Sequence, residues 1–299
     1  LETRNKSWGG FLGIIPVIGA FGIAVGYAVV VGWFLRFLGG FITGSAMSAA
    51  DSGAYFGELA SPFGSIIWHL LALILVSIVL ISGISKGIET MNKIMMPAFY
   101  ILFVIVMVRV FMLDGAFEGI KYLVVPKWSS LMEPKTWIYA LGQAFFSLSL
   151  AGSGMIVYGS YLKRDVDIMS SAKNTVIFDT LGAFLAGLVI IPAVFAFNLD
   201  PASGPPLLFI TIPSVFKLMP FGRLFGVIFF ISVLFASITS LMNLLEVPIE
   251  AVQSTFKLKR KLSVFIVVGA AFIFGLFAED KVANITINTI NIHEIIIIL

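Results

Sequence analysis

Residues 141–161 read LGQAFFSLSLAGSGMIVYGSY. The stretch is long enough to cross a bilayer. Its middle, Ser147-Leu148-Ser149-Leu150-Ala151-Gly152-Ser153-Gly154, nevertheless gathers weak helix formers where a lipid-facing helix has no use for them. A helix that unwinds at that depth frees backbone carbonyls and amides, which are tolerated only against protein or a cavity. Broken helices of this kind build midplane sites in secondary transporters. Close helix packing through small residues would give the same composition, so composition alone leaves both readings open.

The surrounding chain sets the context. It has 299 residues, of which 59% are hydrophobic and 12% charged. Its mean hydropathy is +1.06. These values describe an all-α integral membrane protein, because several apolar stretches exceed eighteen residues and barrel strands would be shorter and alternating. The absence of cysteine excludes disulfides and thiolate metal sites. Two histidines, His69 and His293, make no ligand cluster.

Seven spans are predicted, at about 8–38, 64–84, 91–113, 137–161, 172–197, 222–252 and 262–277. With the amino terminus in the cytoplasm, cytoplasmic segments carry eleven Lys/Arg residues and external loops five, dominated by the cluster at 257–261. That cluster also suits anionic lipid head groups. External residues 114–136 hold Trp128, Pro126 and Pro134 and read as a folded cap. The apolar run 207–216 is too short to span and reads as a re-entrant or lid helix, or as a short interfacial one. Residues 1–278 are expected to form a single transmembrane domain. Residues 279–299, alternating Ile with Asn and Thr before an Ile run, read as an atypical or misread tail.

The residues that suggest chemistry lie inside the spans. Asp179 stands about two turns into the fifth. A mid-helix carboxylate costs roughly 2.5–3.5 kcal/mol on insertion scales, and no basic residue occupies the centre of any span. A bound cation or proton is its expected partner, unless it reaches cytoplasmic water. Arg36 and Arg109, near the external ends, can snorkel. On the sixth span Ala236, Thr239 and Ser240 share one face. A carbonyl and two hydroxyls there fit a hard monovalent cation, and they equally fit small-residue packing. Glu246 and Glu250 face either an inner vestibule or water. Tyr27 sits mid-span and needs a hydroxyl partner, either a ligand carboxylate or a neighbouring carbonyl. No metalloprotease motif, phosphate-binding loop or paired-carboxylate site points to an enzyme.

Several motifs, in order, resemble the neurotransmitter:sodium symporter family. Gly142-Gln143-Ala144-Phe145-Phe146-Ser147-Leu148-Ser149-Leu150 is similar to the family's sixth helix. Gly26-Tyr27 with Gly32-Trp33 resembles the third, and Lys86-Gly87-Ile88-Glu89 with Pro97 resembles the loop into the fifth. Residues 200–205, DPASGP, resemble the fourth external loop, and residues 235–246 the eighth helix. The resemblance covers roughly residues 8–278. It implies a partial inverted-repeat transporter fold of the bacterial leucine transporter type, with the spans as core helices three to nine and the first two core helices absent.

The resemblance also implies site residues. Ile23, Tyr27, Phe145, Phe146, Ser149, Gly152, Ser240 and Leu244 would line the substrate pocket, Tyr27 meeting the substrate carboxylate. Ser147 and Asp179 would belong to one sodium site, and Ala236, Thr239 and Ser240 to a second. Gly152 leaves room for a larger side chain. Ala183 stands where chloride-requiring members have Ser, and Asp179 would supply the anion's charge, so chloride is not expected to be required. The implied activity is sodium-coupled symport of an amino acid or related small amine across the plasma membrane. No organic cofactor or nucleic acid is implied, lipid is the surrounding partner, and a homodimer is open. The competing readings are an inactive fragment or partner subunit that packs on a complete transporter, and a cation channel, against which stands the lack of a filter-like motif.

Overall fold

The computed structural model describes residues 6–150, 154–163, 165–198 and 207–288, the side chains of 6–12, 85 and 280–288 excepted. Twelve α-helices follow one another among these residues: α1 (Lys6–Thr43), α2 (Ser45–Ser48), α3 (Ser52–Leu59), α4 (Ile66–Ile81), α5 (Thr90–Phe111), α6 (Ala116–Val124), α7 (Pro134–Ser147), α8 (Gly154–Ser160), α9 (Ile168–Ala196), α10 (Ile212–Leu218), α11 (Gly222–Phe256) and α12 (Arg260–Asn288). π-Helical turns at Ile84–Glu89 and Leu207–Thr211 precede α5 and α10, and a 3-10 turn lies at Trp128–Met132. Five helices among the described residues are long and apolar enough to cross a membrane. They match five predicted spans. The second span is the sixteen-residue α4, and the fourth is interrupted between α7 and α8. Arg4, Arg164, Gly152, residues 200–205 of the external loop and 289–299 of the tail lie outside the described residues.

α1 and α11 form the centre and pack side by side; α4 and α12 lie against α1, α5 against α11, and α9 against α5. Aromatic rings fill the seam. Trp33, Phe37 and Phe41 of α1 are fully buried with Phe56 of α3, Phe209 of the second π-turn, and Phe229 and Phe230 of α11. Phe56 and Phe209 stack at 5.0 Å and 6°, and Phe37 stacks on Phe230 at 5.4 Å. Such pairs contribute beyond their buried area. They explain why the run 207–216, predicted to be a re-entrant or lid helix or a short interfacial one, is largely buried: Leu207, Phe209, Ile212 and Phe216 join the core.

α1 also runs past its predicted end at residue 38. The side chain of Arg223 at the start of α11 donates to the carbonyls of Phe41 and Ile42, satisfying acceptors that a helix terminus leaves open. Phe41 packs edge-on against Phe216. Arg36 is half-buried and finds a partner within the protein. Its guanidinium donates to the Tyr55 hydroxyl and lies 4.5 Å from the Tyr55 ring centroid and 5.8 Å from that of Trp68, a cation–π arrangement that holds the charge inside the protein. The predicted cap at 114–136 is helical: α6 lies on α9, its Gly119 seated on the Pro192 backbone.

α1 and α4 approach closely through a glycine. A Cβ on Gly32 would come within 2.6 Å of the His69 backbone nitrogen. His69 itself is fully buried, with Phe272 at 5.4 Å. Replacing Gly32 with Leu is expected to force these helices apart and lower stability by about 1–3 kcal/mol. The check is the thermal unfolding midpoint in detergent; an unchanged midpoint would contradict the close approach.

Candidate functional site

The site is built where a helix stops. α7 ends at Ser147. Ser149 takes a positive φ of 55°, a left-handed conformation that non-glycine residues seldom adopt. The Leu150 amide bonds to the Phe145 carbonyl at 3.0 Å and the Ser149 amide to Phe146 at 3.0 Å, a closing turn in place of the helical ladder. α8 resumes at Gly154. The Ser/Gly composition is therefore a break and not an uninterrupted packing surface.

At the end of α7 the Ser147 hydroxyl donates to the Asp179 carboxylate of α9 at 2.5 Å. Asp179 is half-buried. One residue earlier, the Phe178 carbonyl accepts the Tyr100 hydroxyl of α5 at 2.6 Å. A Cβ on Gly182 would stand 3.3 Å from that hydroxyl, so the missing side chain opens its path. α5, α7 and α9 thus meet around Asp179 and the carbonyl before it, on a helix long and apolar enough to span a membrane. Charged groups in such a position pair or mark an ion path.

A second oxygen pair lies on α11. The Thr239 hydroxyl donates to the Ala236 carbonyl at 2.7 Å, and Thr239 is buried. Its neighbour Ser240 lies beside the Tyr27 side chain on α1. Ile23 lies one turn from Tyr27 on α1, and Leu244 four residues after Ser240 on α11, half-buried against the core. The structure therefore brings together Tyr27 with Ser240, Ser147 with Asp179, and Ala236 with Thr239. Phe145 and Phe146 stand apart from the α1–α11 groups. They are 52% and 39% exposed on α7, and Ser149 is exposed at the break. Among the described residues no side-chain hydrogen bond or ring contact joins these three to α1 or α11.

Sequence reasoning missed the basic end of the bundle. Glu246 does not sit in water; it is fully buried. Arg260 grips it with two bonds, at 2.6 and 2.7 Å, and donates to the Leu80 carbonyl of α4 at 2.9 Å. The Tyr161 hydroxyl, just past α8, lies 3.1 Å from both Glu246 and Glu250. Tyr158 of α8 donates to the Asn243 side-chain oxygen at 2.6 Å. The available signal was the spacing: carboxylates at 246 and 250 share one face of α11, as tyrosines at 158 and 161 share one face across α8. Arg260 was hidden among its basic neighbours.

A fork-to-fork pair with one fully buried partner is fragile to single changes, since removing one charge strands the other. Arg260→Met is expected to cost about 3–5 kcal/mol, and Arg260→Met with Glu246→Met to recover most of that. Chemical or thermal unfolding in detergent checks this; a single variant as stable as the parent would contradict the buried pairing.

The comparisons with known proteins agree with this architecture. The sequence profile of the Sodium:neurotransmitter symporter family matches residues 57–294. The uncharacterized sodium-dependent transporter YhdH of Bacillus subtilis (strain 168) is 38% identical over 264 residues, covering 87% of this chain and 58% of that protein. An uncharacterized sodium-dependent transporter of Haemophilus influenzae is 33% identical over 294 residues, covering 95% of this chain and 64% of that protein. The chain thus spans about three fifths of the length of these curated relatives. The crystal structure of MhsT in complex with L-phenylalanine superposes with a TM-score of 0.84 at 32% identity, covering 96% of this chain and 69% of that one. A multi-pass helical membrane protein with a broken helix at its site, this chain belongs to the sodium:neurotransmitter symporter family.

Proposed function

We propose that this chain carries the sodium- and substrate-binding core of a symporter that moves an amino acid across the plasma membrane on a sodium gradient. The observation that carries the reading is the Ser147–Asp179 pair, which sets a carboxylate and a hydroxyl beside unwound backbone at the end of α7. Sodium takes oxygen ligands. In this reading it draws one ion to Ser147 and Asp179, and a second to the Ala236 carbonyl with Thr239 and Ser240. Either ion would offset the cost of burying polar groups at that depth. Tyr27, next to Ser240, is positioned for a substrate carboxylate. Ile23, Leu244, Phe145, Phe146 and Ser149 complete the pocket once α7 closes on α1 and α11. Gly152 supports a larger substrate side chain, and MhsT holds L-phenylalanine. An aromatic amino acid is therefore the first substrate class to try.

The Lys/Arg bias supports a cytoplasmic amino terminus. The basic end of α11 then faces the cytoplasm, where the Glu246–Arg260 pair and Tyr161 close the inner side. Asp179 supplies a fixed negative charge near the ion, which removes the need for chloride.

The test is binding of labelled L-phenylalanine and a mixed amino-acid pool to the purified protein, titrated with sodium. Saturable, sodium-dependent binding is expected, unchanged when gluconate replaces chloride. Thr239→Ala and Asp179→Asn should each raise the half-saturating sodium about tenfold or more, since a bond to a charged group contributes about 1.5–3 kcal/mol. Binding that ignores sodium, or survives both substitutions unchanged, would overturn the reading.

A further inference from the structure

The polar face of α11 does not end at the Ala236–Thr239 pair. Asn243 follows Thr239 by four residues and Ser240 by three, and Glu246 and Glu250 continue the face toward the basic end. Each of these groups below the oxygen pair has a partner. The Asn243 oxygen accepts from Tyr158 at 2.6 Å in a half-buried setting. Glu246 is taken by Arg260, and Glu246 and Glu250 by Tyr161. The two tyrosine rings meet edge to face, centroids 6.1 Å apart. The lower half of the broken helix is therefore tied to α11 in two layers, one turn apart.

The layers differ chemically. The deeper carboxylate is neutralised by a bidentate guanidinium, an arrangement that resists exchange. The nearer layer is a neutral amide oxygen held by one phenol. Carbonyl-type oxygens can replace part of a monovalent ion's hydration shell, and a neutral one binds without trapping the ion as a bare carboxylate would. A cation moving from Thr239 toward the basic end meets the Asn243 oxygen before either carboxylate. Tyr158 sits on that oxygen and belongs to the segment that follows the break, so its position changes whenever that half-helix moves.

We propose that Asn243 is a relay ligand for sodium passing between the Ala236–Thr239 pair and the basic end of α11, and that Tyr158 caps its oxygen until the lower half of the broken helix swings away. The inference rests on the sodium reading above. In the resting arrangement the phenol proton fills the place of the ion. On opening, the freed oxygen takes the ion in one turn of helix, and the ion then passes toward Glu250.

The experiment follows release of pre-bound radioactive sodium from the protein in nanodiscs after dilution. Tyr158→Phe removes the cap and should speed release several-fold. Adding Asn243→Leu to Tyr158→Phe should return release to the parent rate or below, and Asn243→Gln in its place, which keeps a neutral amide oxygen, should preserve the fast release and guards against a folding defect. Tyr158→Phe releasing at the parent rate would overturn the proposal. So would a Tyr158→Phe/Asn243→Leu protein as fast as Tyr158→Phe alone, because the tyrosine would then be only a seal. If the parent holds no sodium that Thr239→Ala loses, the sodium reading itself fails, a result distinct from failure of the relay alone.

Discussion

Unpaired backbone has no water to turn to at bilayer depth, and this constraint organises the molecule. Each amide or carbonyl left without a partner there costs several kcal/mol, so a chain can leave the helix only where protein or a bound ion takes over. The turn at Ser149 meets that condition. Its amides close short turns onto Phe145 and Phe146, and the hydroxyl just before it bonds to Asp179. The break and the carboxylate depend on each other: the unwound turn frees Ser147 to face α9, and Asp179 gives the end of α7 a fixed partner.

The rest of the fold holds a stable wall opposite the break. α1 and α11 meet through stacked aromatic rings and through glycines that admit a neighbour's backbone or ring. Arg223 ties the start of α11 to the end of α1. That wall carries Tyr27, Ala236, Thr239 and Ser240 on rigid helices. α7 is peripheral by contrast, with no buried side chain. A well-packed pair of helices beside a broken, exposed one fits the rocking that the proposed symport would require.

Much of this was legible in the sequence, for physical reasons. Long apolar runs have few alternatives to spanning helices, so five spans appeared near their predicted places. Ser and Gly at mid-span marked the break, and a lone Asp179 without a basic partner marked the carboxylate that Ser147 reaches. The spacing of Ala236, Thr239 and Ser240 predicted a shared face. What stayed hidden depends on long-range pairing. Nothing local separates Arg260, which holds a buried carboxylate, from Lys259 and Lys261, which are exposed. The run 207–216 is too short to span, which left a lid and an interfacial helix both open, and only the aromatic partners contributed by α1, α3 and α11 show how it is buried. The partner of Arg36, Tyr55, lies nineteen positions away, beyond the reach of local spacing.

The account turns on the claim that the chain is unwound at residues 148–150 and that sodium stabilises the turn. Amide hydrogen exchange resolved to peptides covering 144–157, measured in detergent in sodium and in potassium, tests it most directly. The account predicts rapid exchange at the break in potassium and clear slowing in sodium, with α11 protected in both. Uniformly slow exchange from 141 to 161 in both salts would show a continuous helix and contradict it.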